Sequence, residues 1–191
     1  MENNKIFFLA KENEVSLMKN QNELIKINNF TNTSPAFRSN LRLSIPDKGF
    51  SSYQSEYPIE MTKKKGSILS PVSMLLNSNS DFNYIFFKNI YFKPRHDESN
   101  LYFIDFKKKK IIDKVKIKLN FLNEIKVEKN KISKDIFIFS EECLGIPIYV
   151  SIKDHHISLE HTHPPHHYIL SEDRYKTVAN IKNEFKKIIS K

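Results

Sequence analysis

Leu101-Tyr102-Phe103-Ile104-Asp105-Phe106-Lys107-Lys108-Lys109-Lys110-Ile111-Ile112-Asp113-Lys114-Val115-Lys116-Ile117-Lys118-Leu119 consists of two apolar runs joined by four lysines. In the second run Val115, Ile117 and Leu119 alternate with Lys114, Lys116 and Lys118, the period of a strand with one wet face. The whole stretch predicts an antiparallel hairpin with a charged tip. Its lysines read as a solvated turn that guards a sheet edge against association, rather than as a phosphate patch.

Working outward, Tyr84-Ile85-Phe86-Phe87 and Asn89-Ile90-Tyr91-Phe92, ended by Pro94, are β-branched and aromatic runs of strand length. Asp135 to Ser140, Ile146 to Ile152 and His155 to His163 predict three more strands, the last stopped by Pro164-Pro165. Leu41-Arg42-Leu43-Ser44-Ile45 alternates with period two, placing Leu41, Leu43 and Ile45 on one face. Ser51 to Pro58 is polar and aromatic with little pattern and reads as a surface edge or loop, and Pro71 interrupts Ser67 to Leu76. Lys5 to Leu9 and Glu23 to Ile27 are expected to be two short strands.

The C-terminus changes period. Ser171 offers a helix N-cap, Glu172 and Asp173 suit the first turn, and Tyr175, Val178, Ile181, Phe185 and Ile188 recur at helical spacing. A helix over 172–190 is therefore expected to pack on a sheet. The fold class is mainly β, a single antiparallel β-sandwich or distorted barrel with a C-terminal amphipathic helix, with α+β as the fallback. One domain over 1–191 accommodates it.

Composition narrows the function classes. Only three glycines occur in the 191 residues, which argues against a glycine-rich phosphate cradle, and no dinucleotide fingerprint is present. The net charge is +9, yet four of the 31 basic residues are arginine (Arg38, Arg42, Arg95 and Arg174), which disfavours nucleic acid as a partner. The lone Cys143 excludes an intrachain disulfide and a thiolate-rich zinc site, so an intracellular, cytoplasmic location is expected. Ile6 to Ala10 is too short for a secretory core, and no apolar run approaches the length of a membrane span.

The chemistry concentrates in Asp154-His155-His156-Ile157-Ser158-Leu159-Glu160-His161-Thr162-His163-Pro164-Pro165-His166-His167, which holds six of the seven histidines. On a strand, His155, Ile157, Leu159, His161 and His163 share one side, and His156, Ser158, Glu160 and Thr162 share the other. Alternate imidazoles stand about 6.5 Å apart, close enough to converge on one ion. The candidate metal ligands are His155, His161, His163 and His166, for one divalent transition metal among Zn, Fe, Mn and Ni. His161 and His163 are the candidate catalytic residues, either holding a metal that polarises an oxygen or moving a proton themselves. His161-Thr162-His163 looks like the H-x-H of cupins, but prolines and histidines stand where cupins place a glutamate, and the flanking glycines are missing; no family is assigned. The competing reading is a set of surface or interstrand histidines with no metal and no catalysis.

Arg38, Arg42, Tyr53 and Glu56 are candidate ligand-binding residues: the arginines for an anion, the aromatic and acidic pair for a carbohydrate cleft. No elbow glycines surround Ser52, Ser55 or Ser73, and Glu141 and Glu142 beside Cys143 argue against a reactive thiol. The expected function is the binding of a small polar ligand, carbohydrate included, at a histidine-rich and metal-dependent site. The alternative is a non-catalytic module that docks a protein or glycan.

Overall fold

The structure, a computed structural model, describes residues 36–58, 66–88, 98–119, 121–143, 145–163, 165–167 and 169–191. The strands expected at Lys5 to Leu9, Glu23 to Ile27 and Asn89 to Phe92 lie outside these residues. In chain order the elements are β1 (Ala36–Ile45), β2 (Gly49–Pro58), β3 (Ile68–Pro71), β4 (Phe82–Lys88), β5 (Glu98–Asp105), β6 (Lys110–Lys118), β7 (Leu122–Lys126), β8 (Ile136–Ser140), β9 (Ile146–Lys153), β10 (His156–His161) and a helix α1 (Arg174–Ile189). Short 3-10 turns occupy Lys129–Lys131 and Pro165–His167.

β10, β9, β4 and β7 form one antiparallel four-stranded sheet in that order, and β3, β8, β5 and β6 form another. Ile85 and Phe87 of β4, Ile125 of β7 and Tyr149 of β9 meet Ile68 of β3, Leu101 and Phe103 of β5, Ile117 of β6 and Ile138 of β8 in one buried cluster between the two sheets. The architecture is thus a β-sandwich, with no closed barrel among the described strands. Cys143 is buried in the same cluster, which removes it from solvent chemistry.

Both outer faces of the sandwich are covered as well. Phe86, Ile148 and Val150 point away from the inter-sheet core and are buried under Leu41 and Leu43 of the β1–β2 hairpin. Leu69, Ile104 and Phe139 on the other sheet are buried under Phe185 and Ile188 of α1. The layers run hairpin, sheet, sheet, helix. Alternate side chains of one strand enter different cores, which is why Tyr84-Ile85-Phe86-Phe87 and Pro147 to Val150 are unbroken apolar runs and not alternating ones.

The hairpin expected at Leu101 to Leu119 is β5–β6, paired from Glu98↔Lys118 to Asp105↔Lys110. Val115 and Ile117 face inward while Lys114, Lys116 and Lys118 are exposed, as the period requires. At the tip the Lys108 N–H donates to the Asp105 carboxylate at 2.8 Å, and Lys109 adopts φ 50. A bulge leaves Ile112 as the extra residue, because Phe103 pairs with Asp113 while Ile104 pairs with Ile111. Ile111 lies on the helix side, where it packs against the cluster that holds Ile104, Phe139 and Phe185.

Two sequence expectations are corrected and one open alternative is decided. Ser51 to Pro58, expected as a surface edge or a loop, is an edge strand: β2 pairs β1 continuously from Ala36↔Pro58 to Ile45↔Gly49, a partnership that its own composition does not signal. The helix starts two residues later than its expected first residue, with Asp173 at the N-cap position making no side-chain cap; the Ser171 hydroxyl accepts the Asp173 N–H at 3.2 Å instead. Of its periodic residues only Val178, Phe185 and Ile188 are buried, while Tyr175 and Ile181 are exposed. Pro71 ends β3, which lies at a sheet edge where a missing N–H costs least.

Candidate functional site

The histidine segment forms β10 as an edge strand, and its two faces meet different surroundings. Ile157 and Leu159 pack toward Leu41, Leu43 and Tyr53 of the hairpin. His156, Ser158 and Glu160 line a groove on the other face. This is the alternation expected from the sequence, and each face has its own partners.

On the hairpin side a continuous ladder of rings runs out from the end of β10. Tyr53 contacts His161 with centroids 4.6 Å apart, His161 meets His163 edge-on at 5.1 Å, and His163 stacks on His167 at 5.6 Å. His167 meets His166 at 4.5 Å, His166 meets Tyr175 at 5.0 Å, and the Arg174 guanidinium covers Tyr175 at 5.2 Å. The ladder joins β2, the end of β10, the Pro165–His167 turn and the first turn of α1.

His155 is not brought to the others. It sits in the turn before β10, six residues from His161, about 20 Å along an extended strand. Among the described residues no group of three or more His, Cys, Asp or Glu is arranged to hold a metal ion, so the expected convergence of His155, His161, His163 and His166 is not found. Ring-to-ring contacts link His161, His163, His166 and His167.

Of the ligand candidates on the hairpin, Tyr53 and Arg42 lie on opposite faces. Tyr53 faces the sheet, where burial and then the Glu160 charge raise its phenol above the usual value. Arg42 is exposed on the opposite face, its guanidinium 4.0 Å over the Phe50 ring. Arg38 is the register partner of Glu56.

Burial is the largest cause lowering His161 below the ordinary imidazole value, followed by the His163 charge, with Glu160 opposing. Burial also leads the lowering of His166, followed by His167, Arg174 and Lys182. A histidine whose folded value is depressed binds its proton more readily unfolded, so its stabilising share is complete above the ordinary value near 6.5 and declines as pH falls through 6.5 toward the folded value. Urea midpoints are therefore expected to fall between pH 7.5 and 5, and the double variant His161→Gln, His166→Gln is expected to show a shallower decline. An unchanged decline in that variant would place the origin elsewhere.

The groove on the other face has a volume of about 330 Å³ and is walled by Met74, Leu75, Leu76, Asn77 and Ser80 from the loop after β3. Its floor is Ser151 and Lys153 of β9 with His156, Ser158 and Glu160 of β10. Wall and floor are tied together: the Asn77 N–H donates to Ser151 Oγ at 3.1 Å, Ser151 Oγ donates to Asn83 Oδ1 at 2.7 Å, and Asn83 Nδ2 donates to the Asn77 carbonyl at 3.0 Å. The Asp81 N–H reaches the Ile152 carbonyl at 2.9 Å, and the Asp81 carboxylate accepts the Asp154 N–H at 2.8 Å. These bonds fix the position of the wall against the floor.

Sequence reasoning placed His156, Ser158 and Glu160 on a common face but proposed no site there. The missing half is the wall, because Asn77 and Ser151 are 74 residues apart and nothing local links them. The Asn77-Ser78-Asn79-Ser80-Asp81 turn cluster was the only available signal. No known protein family, curated protein or solved structure matches the chain. No helix among the described residues is long and apolar enough to cross a membrane.

Proposed function

We propose that the protein binds a small polar ligand in the groove beside β10, and that the ring ladder on the opposite face of that strand is its structural clasp. The observation that carries this reading is the bonding of the Asn77 wall to the Ser151 floor beside an open groove of about 330 Å³, so that the wall is already positioned without a ligand. That volume lies within the range of small-molecule sites, where apolar walls and a few placed polar groups divide affinity and orientation between them. Met74 and Leu75 supply the apolar wall, and Ser158, Glu160, His156 and Lys153 supply hydroxyl, carboxylate, imidazole and ammonium groups. Sugars fit such an inventory through their hydroxyls and apolar ring faces, and short peptides fit it through their amides and termini.

A thermal-shift panel of neutral mono- and disaccharides, amino acids and short peptides tests it. At least one class is expected to raise the melting temperature; a ligand at a hundred times its Kd adds about 2.7 kcal/mol of stability. Ser158→Trp fills the groove from an exposed strand position and is expected to abolish the shift without unfolding the protein. A shift equally large in that variant, or none from any member of the panel, would overturn the reading.

A further inference from the structure

We infer that the ligand of this groove is a zwitterion of about tripeptide length, held with its carboxylate at Lys153 and His156 and its ammonium at Glu160. This rests on the groove reading above and adds the order of charge along the floor. Lys153 and His156 are register partners across β9 and β10, as are Ser151 and Ser158, and Glu160 lies opposite Tyr149. Tyr149 is fully buried, with its hydroxyl bonded to Ser70 in the core, so Glu160 alone serves the groove from that third pair. The floor therefore grades from two nitrogen bases through hydroxyls to one carboxylate.

Glu160 lies four positions beyond His156, which places the two ends about 13 Å apart along the strand. An extended three-residue peptide spans roughly 10 Å, and the long side chains of Lys153 and Glu160 can reach across the difference. At that separation Lys153 and Glu160 cannot neutralise each other directly, and among the described residues neither is held in an ion pair. A molecule carrying opposite charges at its two ends completes both, while reversed binding sets like charges against each other, so polarity as well as length is selected. Ser158, exposed midway, is positioned to bond a central amide. The Ser151 hydroxyl is already engaged with Asn83 and Asn77, so it contributes to the floor's shape more than to recognition.

Titration calorimetry on the full chain with trialanine, N-acetyl-trialanine, trialanine amide and maltose tests the inference, in the native protein and in Glu160→Gln, Lys153→Gln and Ser158→Trp. Trialanine is expected to bind, and each capped peptide is expected to bind at least about tenfold more weakly, a difference of about 1.4 kcal/mol. Glu160→Gln is expected to erase discrimination against the N-acetyl form, and Lys153→Gln against the amide. Equal affinity for free and capped peptides overturns the inference. So does maltose binding that only Ser158→Trp removes, although the groove reading then survives. If no probe binds in a manner that Ser158→Trp abolishes, the groove reading fails and the inference fails with it.

Discussion

Phe185→Ala is expected to lower the unfolding free energy by about 3–5 kcal/mol, the range for deleting a buried aromatic ring from a packed site. Phe185 is 1% exposed and is the point at which α1 meets its sheet. Its ring stacks on Phe106 at 4.9 Å and 13°, meets Phe137 edge-on at 5.7 Å, and leans on Phe139 at 5.5 Å. Ile188 is the other buried helix residue in that cluster. Removing Phe185 therefore strips the outer face of β8 and β5 of most of its cover, and collapse cannot refill the space because strand backbones are fixed by their ladders. The melting temperature should fall by about 6–20 °C for a chain of this size, read by equilibrium urea and thermal unfolding. A loss under about 1 kcal/mol would mean that the helix contributes little to the sandwich.

Phe86→Ala is expected to cost a similar 3–5 kcal/mol, but with a different structural consequence. Phe86 is fully buried on the opposite outer face, between Ile148 and Val150 of the sheet and Leu41 and Leu43 of the hairpin. Among the described residues the β1–β2 pair has no strand partner in either large sheet, so side-chain packing, the Tyr53–His161 ring contact included, is what joins it to the sandwich. Truncating Phe86 should loosen the hairpin before the sandwich opens, raising proteolytic cleavage near Asp47-Lys48-Gly49 at denaturant concentrations that leave the inter-sheet core closed. Cleavage confined to global unfolding would show that hairpin and sandwich are one cooperative unit. The two variants separate the two covers, since Phe185 touches only the helix side and Phe86 only the hairpin side.

The groove and the ladder divide β10 between them. Acid is expected to weaken the ring contacts on one face by charging His161 and His166, whereas substitutions at Ser158 or Glu160 alter only the groove face. Stability against pH and affinity against substitution are thus separate measurements on the same six-residue strand.

Much of this fold was legible in local pattern. Period two in Leu41 to Ile45 and in Lys114 to Leu119, unbroken apolar runs in β4 and β9, and helical spacing in Tyr175 to Ile188 report which side chains leave water, and burial is what selects such patterns. The same logic assigned His156, Ser158 and Glu160 to one face of β10 and Ile157, Leu159 and His161 to the other. Local pattern does not report what covers a buried face. For that reason β7 and the pairing of β2 are not visible in it, and the helical spacing that includes Tyr175 and Ile181 does not tell that the structure leaves these two exposed.

The sequence by itself determined strand period, hairpin tip, helix and the crowding of imidazoles into one segment, because each depends on neighbours within a few residues. Only the tertiary structure decided that those imidazoles stack as rings with His155 left apart, and that the loop after β3 closes over Ser151 to make a groove. Those outcomes depend on contacts between residues as distant as Asn77 and Ser151, whose meeting is set by how two sheets and their covers pack.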